Sequence, residues 1–182
     1  MTMGNRLHIG MRKVKSLLAI FIGFVIWQMI RVFFPDLEVH PLYIYIYSFL
    51  EVRDTSEKTK TLGVQRIKAT MVGIAVGMPM LLLRIWTHTN MEDATLQVAL
   101  DLLMILVGVL ITLQLAQHFS CGAMTGIAAV IYIILLIYHA DDDRYLYALL
   151  RASQTLIGVF IAWLVNVVLL PYPKKKSPEI KE

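Results

Sequence analysis

The chain has 182 residues, of which 58% are hydrophobic and 16% are charged, and its formal net charge is +4. A soluble domain of this length is normally about half apolar and about a quarter charged. The composition therefore excludes an ordinary soluble domain and predicts an all-α integral membrane protein, in which the positive charge requires no nucleic-acid partner.

Six apolar runs are candidate spans, and several of them approach the length of about 20 residues that a helix needs to cross a bilayer. In chain order they are Ser16–Phe34, Val39–Val52, Ala69–Ile85, Leu96–Leu115, Ser120–Tyr138 and Leu149–Leu170. The first run follows basic residues, as a signal peptide would, but it is longer than a typical signal-peptide core and no cleavage-like site follows it. We therefore expect a retained first helix and six transmembrane helices.

The second run, "PLYIYIYSFL", alternates with period two, which taken alone is typical of a strand. A lone strand cannot satisfy its backbone hydrogen bonds in lipid, so a short helix is predicted instead. Such a helix places Tyr43 and Tyr47 on one face and Tyr45 on the opposite one.

The distribution of lysine and arginine predicts that both termini are cytoplasmic. With that orientation, the outer segments hold only Arg31, Arg84, Arg144 and Arg151, and the remaining basic residues lie in cytoplasmic segments. The outer loops also carry the acidic run 141–143. The predicted location is the cell's inner (plasma) membrane, with a basic tail beside anionic membrane lipid.

An internal repeat divides the chain. "RIKATMVG" at 66–73 recurs as "RASQTLIG" at 151–158, and the same offset of 85 pairs "LLAIFIGFVI" at 17–26 with "LLMILVGVLI" at 102–111. Because each copy holds three spans, the second copy enters the membrane inverted, an arrangement common among secondary transporters. The expected organisation is a cytoplasmic N-terminus (1–15), two inverted three-helix repeats (16–85 and 96–171) joined by an outer loop (86–95), and a cytoplasmic tail (172–182).

The basic N-terminus before "KSLLAIFIGFVIW", the R-x-x-x-T-x-x-G pattern that opens the third span, and the ending "RASQTLIGVFIAWLVNVVLLP" resemble the aromatic acid exporter (fusaric acid resistance-like) membrane family. The resemblance covers residues 10–171. It implies a six-helix unit, pairing of two such units as a homodimer, and export of aromatic carboxylates or related small organic anions. The chain departs from many relatives because it stops soon after the sixth span, where they carry a soluble region. For this reason a non-transporting scaffold or accessory subunit stays open as an alternative. A passive channel also stays open, because the resemblance extends to plant malate channels, which share this membrane architecture.

The two copies of the motif place an arginine, a threonine and a glycine on one stripe of a helix. Arg66 and Thr70 open the third span, and Arg151 and Thr155 open the sixth. Each arginine lies near a helix N-terminus, which also favours anions. We expect these four residues to bind the substrate, while ordinary helix packing with the arginines reaching lipid headgroups is the alternative.

Other candidates are less specific. Tyr43 and Tyr47 could stack on an aromatic substrate. Asp101, about one turn into the fourth span, and Glu51, at the end of the second, are candidate groups for proton coupling. The alternatives are ordinary core or interface tyrosines, an interfacial carboxylate and a solvated ion pair. Asn166 and Gln114 are expected to form hydrogen bonds between helices.

Catalytic and metal-binding motifs are not found. The histidines have no metal-ligand spacing, the serines have no nucleophile-elbow context, and no phosphate-binding loop is present. The single Cys121 excludes an intramolecular disulfide. We expect no enzyme activity, no metal and no cofactor, so an ion or proton gradient would have to drive transport.

Overall fold

The computed structural model describes residues 10–35, 40–137 and 144–171, and every regular element within these ranges is helical. The elements are α1 (Met11–Phe33), α2 (Leu42–Leu50), α3 (Ser56–Asn90), α4 (Ala94–His118), a 3₁₀ turn (Gly122–Met124), α5 (Thr125–Ile137), α6 (Arg144–Trp163) and a π-helix that continues α6 (Leu164–Leu169). The basic tail and the acidic run 141–143 lie outside the described residues.

Four helical segments are long and apolar enough to cross a membrane: α1, α3, α4 and the stretch Ala148–Leu169 of α6 with its π-helix. Large apolar side chains of α1 and α4 are exposed along most of their length, for example Phe21 and Leu106. In water such faces would be costly, whereas lipid solvates them. The prediction of an all-α membrane protein is therefore confirmed for the described residues.

The two remaining helices, as far as the structure describes them, are shorter than the predicted second and fifth spans. α2 has 9 residues and α5 has 13. At 1.5 Å per residue, α2 extends about 14 Å, roughly half of the hydrocarbon core. Within the described residues, four helices qualify as membrane spans by length and composition, so the predicted six spans are not confirmed.

The helical interpretation of the tyrosine-rich run is confirmed. Leu42–Leu50 is an α-helix that begins directly after Pro41. The rings of Tyr43 and Tyr47 stack with centroids 6.1 Å apart, as expected for side chains four residues apart on one helix face. The need to satisfy backbone hydrogen bonds in an apolar environment therefore favours a helix here, although the period-two pattern is typical of a strand.

Helix α3 is much longer than the span predicted at Ala69–Ile85. It runs for 35 residues, or about 53 Å, and contains Pro79. The additional N-terminal turns carry the charged, threonine-rich sequence 56–68. A hydropathy pattern marks only the part of a helix that lies in lipid, so this polar extension was not anticipated.

The chain forms two compact units, which we call unit 1 and unit 2. Among the described residues, unit 1 holds those up to Lys60 and those from Gly158 onward, and unit 2 holds those within Thr61–Ile157. Within unit 1, Gly158 of α6 lies so close to α2 that an added Cβ would be 2.6 Å from Tyr47 Cβ. Within unit 2, an added Cβ at Gly73 of α3 would be 2.6 Å from the Ala128 carbonyl oxygen of α5. In each unit, close helix contact therefore requires a glycine.

The interior of unit 2 is built where α3, α4 and α5 meet. Tyr132 is fully buried and donates a hydrogen bond from its hydroxyl to the Met104 carbonyl oxygen, at 2.6 Å. The ring occupies the space that opens at Gly108 of α4. The tyrosine thereby joins α5 to α4 with its one polar atom satisfied.

Candidate functional site

The first half of the predicted site lies on α3 in unit 2. Arg66 and Thr70 are one helical turn apart, with exposed fractions of 4% and 1%. Neighbouring Ala69 and Val72 pack into an apolar cluster with residues from the end of α4 and the start of α5. This segment of α3 is therefore an interior one, and the Arg66 side chain is buried in protein.

The second half lies on α6 and repeats this arrangement. Arg151 and Thr155 are 5% and 1% exposed, and Gln154 between them is also buried. The Thr155 hydroxyl donates to the Arg151 carbonyl oxygen at 2.8 Å, a bond that satisfies the hydroxyl within its own helix. The side-chain oxygen of Thr70, by contrast, has no hydrogen-bond partner among the described residues.

The tyrosines and Glu51 lie in unit 1. Tyr47 is buried and Tyr43 is half-buried beside it. Glu51, which caps the C-terminus of α2, is fully buried, so it is not part of a solvated ion pair. The exposed pair of this region is instead Arg12 with Asp54, whose closest atoms are 3.7 Å apart.

Asp101 lies at the other end of unit 2 from Arg66. Its carboxylate accepts hydrogen bonds from Arg84 Nε at 3.1 Å and Arg84 Nη2 at 3.0 Å, and His88 Nε2 lies 3.1 Å from it. Arg84 also donates to the Leu136 carbonyl oxygen, so three helices meet there. Arg66 and Arg84 are about 27 Å apart along α3, and the structure therefore does not bring Asp101 to the arginine–threonine stripes.

The polar cluster of Lys15, Asn166 and Thr59 was not predicted from the sequence, although Asn166, alone among these residues, was expected to bond between helices. Asn166, expected to bond between helices, does so: its side chain accepts from Lys15 and donates to Thr59. Lys15 itself was assigned to the solvated N-terminus, yet it is fully buried. Its position directly before the apolar run Ser16–Phe34 was the only available signal.

Two buried guanidinium groups give unit 2 a chemistry suited to anions. Guanidinium presents a planar set of donors that matches a carboxylate, and a nearby threonine hydroxyl can add another donor. Metal binding has no comparable basis, because the described residues contain no cluster of three or more histidine, cysteine, aspartate or glutamate side chains that could hold an ion.

Comparison with known proteins gives one family. A family model described as "Aromatic acid exporter family member 1" matches residues 7–169 of the 182. No curated protein and no solved structure matches the chain. The match includes both arginine–threonine stripes, Asp101 and the two tyrosines. Since it spans most of the sequence, the chain belongs to the aromatic acid exporter family.

Proposed function

We propose that the protein exports aromatic carboxylates or related organic anions across the cytoplasmic membrane, and that Arg66 and Arg151 bind the anionic group of the substrate. The burial of both arginines carries this proposal. An arginine that only anchors a helix extends its guanidinium to the headgroups and is exposed in the protein alone. These two are 4% and 5% exposed and occupy equivalent positions of the repeated motif.

The proposal includes an inverted repeat of two three-helix halves, with both termini cytoplasmic. The helix ends support it, since Phe33 closes α1 and His118 closes α4 at the offset of 85 found in the sequence. The glycine contacts support it as well. Gly158, the equivalent of Gly73, packs on α2, and Gly73 packs on α5. α2 and α5 occupy equivalent places in the two halves, so the third helix of each half contacts the second helix of the other.

The functional unit in this proposal is a homodimer in the bacterial plasma membrane, as the family resemblance implies. The repeat places one arginine towards each side of the membrane, so the anion would meet a guanidinium on entry and on exit. Tyr43 and Tyr47, already stacked on each other, are the proposed contacts for an aromatic ring.

Efflux from proteoliposomes tests the proposal. Vesicles loaded with labelled benzoate are diluted, and protein-free vesicles are used to subtract leakage of the neutral acid. We expect the wild type to accelerate efflux, and R66Q and R151Q each to slow it at least tenfold, because a charge-assisted bidentate pair contributes about 1.5–3 kcal/mol. R31Q is the matched control, since Arg31 is exposed at the end of α1.

The same vesicles distinguish the alternatives. Efflux that follows an imposed membrane potential without any response to a proton gradient identifies a channel. Wild-type protein that gives no efflux above protein-free vesicles would support a scaffold and contradict the proposal. Unchanged flux in both R66Q and R151Q, with R31Q also normal, would remove the two arginines from the binding site.

A further inference from the structure

The hydroxyl of Thr70 is one of the few buried side-chain atoms of unit 2 that lack a hydrogen-bond partner among the described residues, and Gln65 Oε1 is another. Thr70 is 1% exposed, and its Oγ has no hydrogen-bond partner among the described residues. A buried polar atom without a partner lowers stability, and in native proteins such atoms are uncommon. This one needs an explanation.

Other threonines form a local hydrogen bond to the backbone that Thr70 does not form. A threonine in a helix can donate to the carbonyl oxygen three or four residues earlier. The threonines that do so here are Thr87, Thr89, Thr112, Thr125 and Thr155. The carbonyls available to Thr70 in this way are those of Arg66 and Ile67, and Thr70 donates to neither.

The difference is sharpest between the two copies of the repeated motif. Thr70 and Thr155 are equally buried, and each follows a buried arginine by four residues. The hydroxyl of Thr155 is bonded to Arg151, at 2.8 Å, whereas that of Thr70 is unbonded. Two positions that the sequence makes equivalent are therefore chemically different.

We propose that Thr70 is a specificity-determining contact that donates its hydroxyl proton to the substrate carboxylate, and that Thr155 has only a structural role in its helix. This inference rests on the proposed function. It assigns substrate binding to the hydroxyl that follows Arg66, and only helix structure to the hydroxyl that follows Arg151. The hydroxyl lies one helical turn from Arg66, so a carboxylate bound by that guanidinium is within the reach of both groups. The Thr70 hydroxyl then donates its hydrogen bond to the bound anion.

An isosteric substitution separates binding from stability. T70V removes the hydroxyl and keeps the shape. In the unliganded protein it removes an unsatisfied polar atom, so we expect the melting temperature to stay the same or to rise. Substrate binding loses a hydrogen bond to a charged group, so the dissociation constant for benzoate should rise about tenfold or more. T70S, which keeps a hydroxyl, should bind within about twofold of the wild type.

T155V is the matched control, because it makes the same chemical change at the equivalent position. It should leave benzoate binding within about twofold of the wild type. Binding is measured by the benzoate-dependent shift of the melting temperature in detergent, and efflux from vesicles is measured in parallel. Equal benzoate affinity in T70V and the wild type, or equal loss in T70V and T155V, overturns the role of Thr70. Wild-type protein that neither binds nor exports benzoate or a substituted benzoate overturns the proposed function as well.

Discussion

Lys15 Nζ donates a hydrogen bond to Asn166 Oδ1 at 2.9 Å, and this bond joins the start of α1 to the π-helix that ends α6. Both residues are fully buried. The amide nitrogen of Asn166 donates in turn to Thr59 Oγ1 at 2.6 Å and to the Arg53 carbonyl oxygen at 3.0 Å. One side chain thus connects α1, the π-helix that ends α6, the segment between α2 and α3, and the first turn of α3. A π-helical turn often marks such a specialised position.

We predict that N166L lowers the stability of the protein more than any exposed polar-to-leucine change. Leucine is similar in size to asparagine, but it cannot accept the hydrogen bond from Lys15 Nζ. It also cannot donate to Thr59 Oγ1 or to the Arg53 carbonyl oxygen. The expected cost is about 1–3 kcal/mol, read as a fall of several degrees in melting temperature in detergent. Q114L is the control, because Gln114 is exposed on α4. Equal melting temperatures for the two variants would contradict this role of Asn166.

A double-mutant cycle with K15M measures the Lys15–Asn166 bond itself. Methionine keeps the length of the side chain and removes the charge. If the two groups stabilise each other, K15M/N166L loses less stability than the two single variants together, by about 0.5–3 kcal/mol. Strict additivity would indicate that Lys15 is held by its other surroundings.

A second prediction concerns Asp101. Its carboxylate faces both Nε and Nη2 of Arg84, a bidentate geometry, and the two side chains are only about one quarter exposed. We expect a structural ion pair that joins the end of α3 to the first turns of α4. D101N and R84Q should each lower the melting temperature, because each leaves a partly buried charge without its ion-pair partner. The double variant removes both charges and should recover part of the loss.

The proton-coupling hypothesis for Asp101 predicts a different outcome for D101N. A proton carrier changed to asparagine abolishes the response of efflux to an imposed pH gradient and leaves stability nearly unchanged. D101N is therefore assayed for both melting temperature and gradient-driven benzoate efflux. Normal stability with lost gradient response would contradict the ion-pair interpretation.

Cys121 provides a third prediction. It is fully buried between α4 and α5 and packs in the cluster of Ala69, Ala116 and Ala128. Thiol reagents need an accessible sulfur. We expect maleimide to label the folded protein in detergent at least ten times more slowly than the protein unfolded in SDS. A positive control is S153C, since Ser153 lies partly exposed on α6. Equal labelling of both cysteines in the folded protein would show that this cluster opens readily.

The sequence predicted local structure better than the pairing of polar groups. Helix α2 and the shared face of Tyr43 and Tyr47 follow from backbone satisfaction in lipid and from helical spacing. Lys15 and Asn166 are 151 residues apart, and only the packing of α1 on α6 brings them together. The difference between Thr70 and Thr155 was also inaccessible, because identical residues in a repeated motif predict identical roles.

The last prediction concerns the glycines that the repeat makes equivalent, Gly73 and Gly158. An added Cβ would lie 2.6 Å from the Ala128 carbonyl oxygen in the first case and from Tyr47 Cβ in the second. Neither obstacle is the flexible end of a side chain, so the helices would have to separate. We therefore expect G73A and G158A each to lower the free energy of unfolding by about 1–3 kcal/mol, measured as loss of melting temperature in detergent.

Gly126 is the matched control, because a Cβ there meets nothing within 4 Å. G126A should be neutral or stabilising by up to about 1 kcal/mol, since alanine favours a helix over glycine. Destabilisation by G126A equal to that of G73A would mean that close helix contact is not the reason for glycine in the repeated motif.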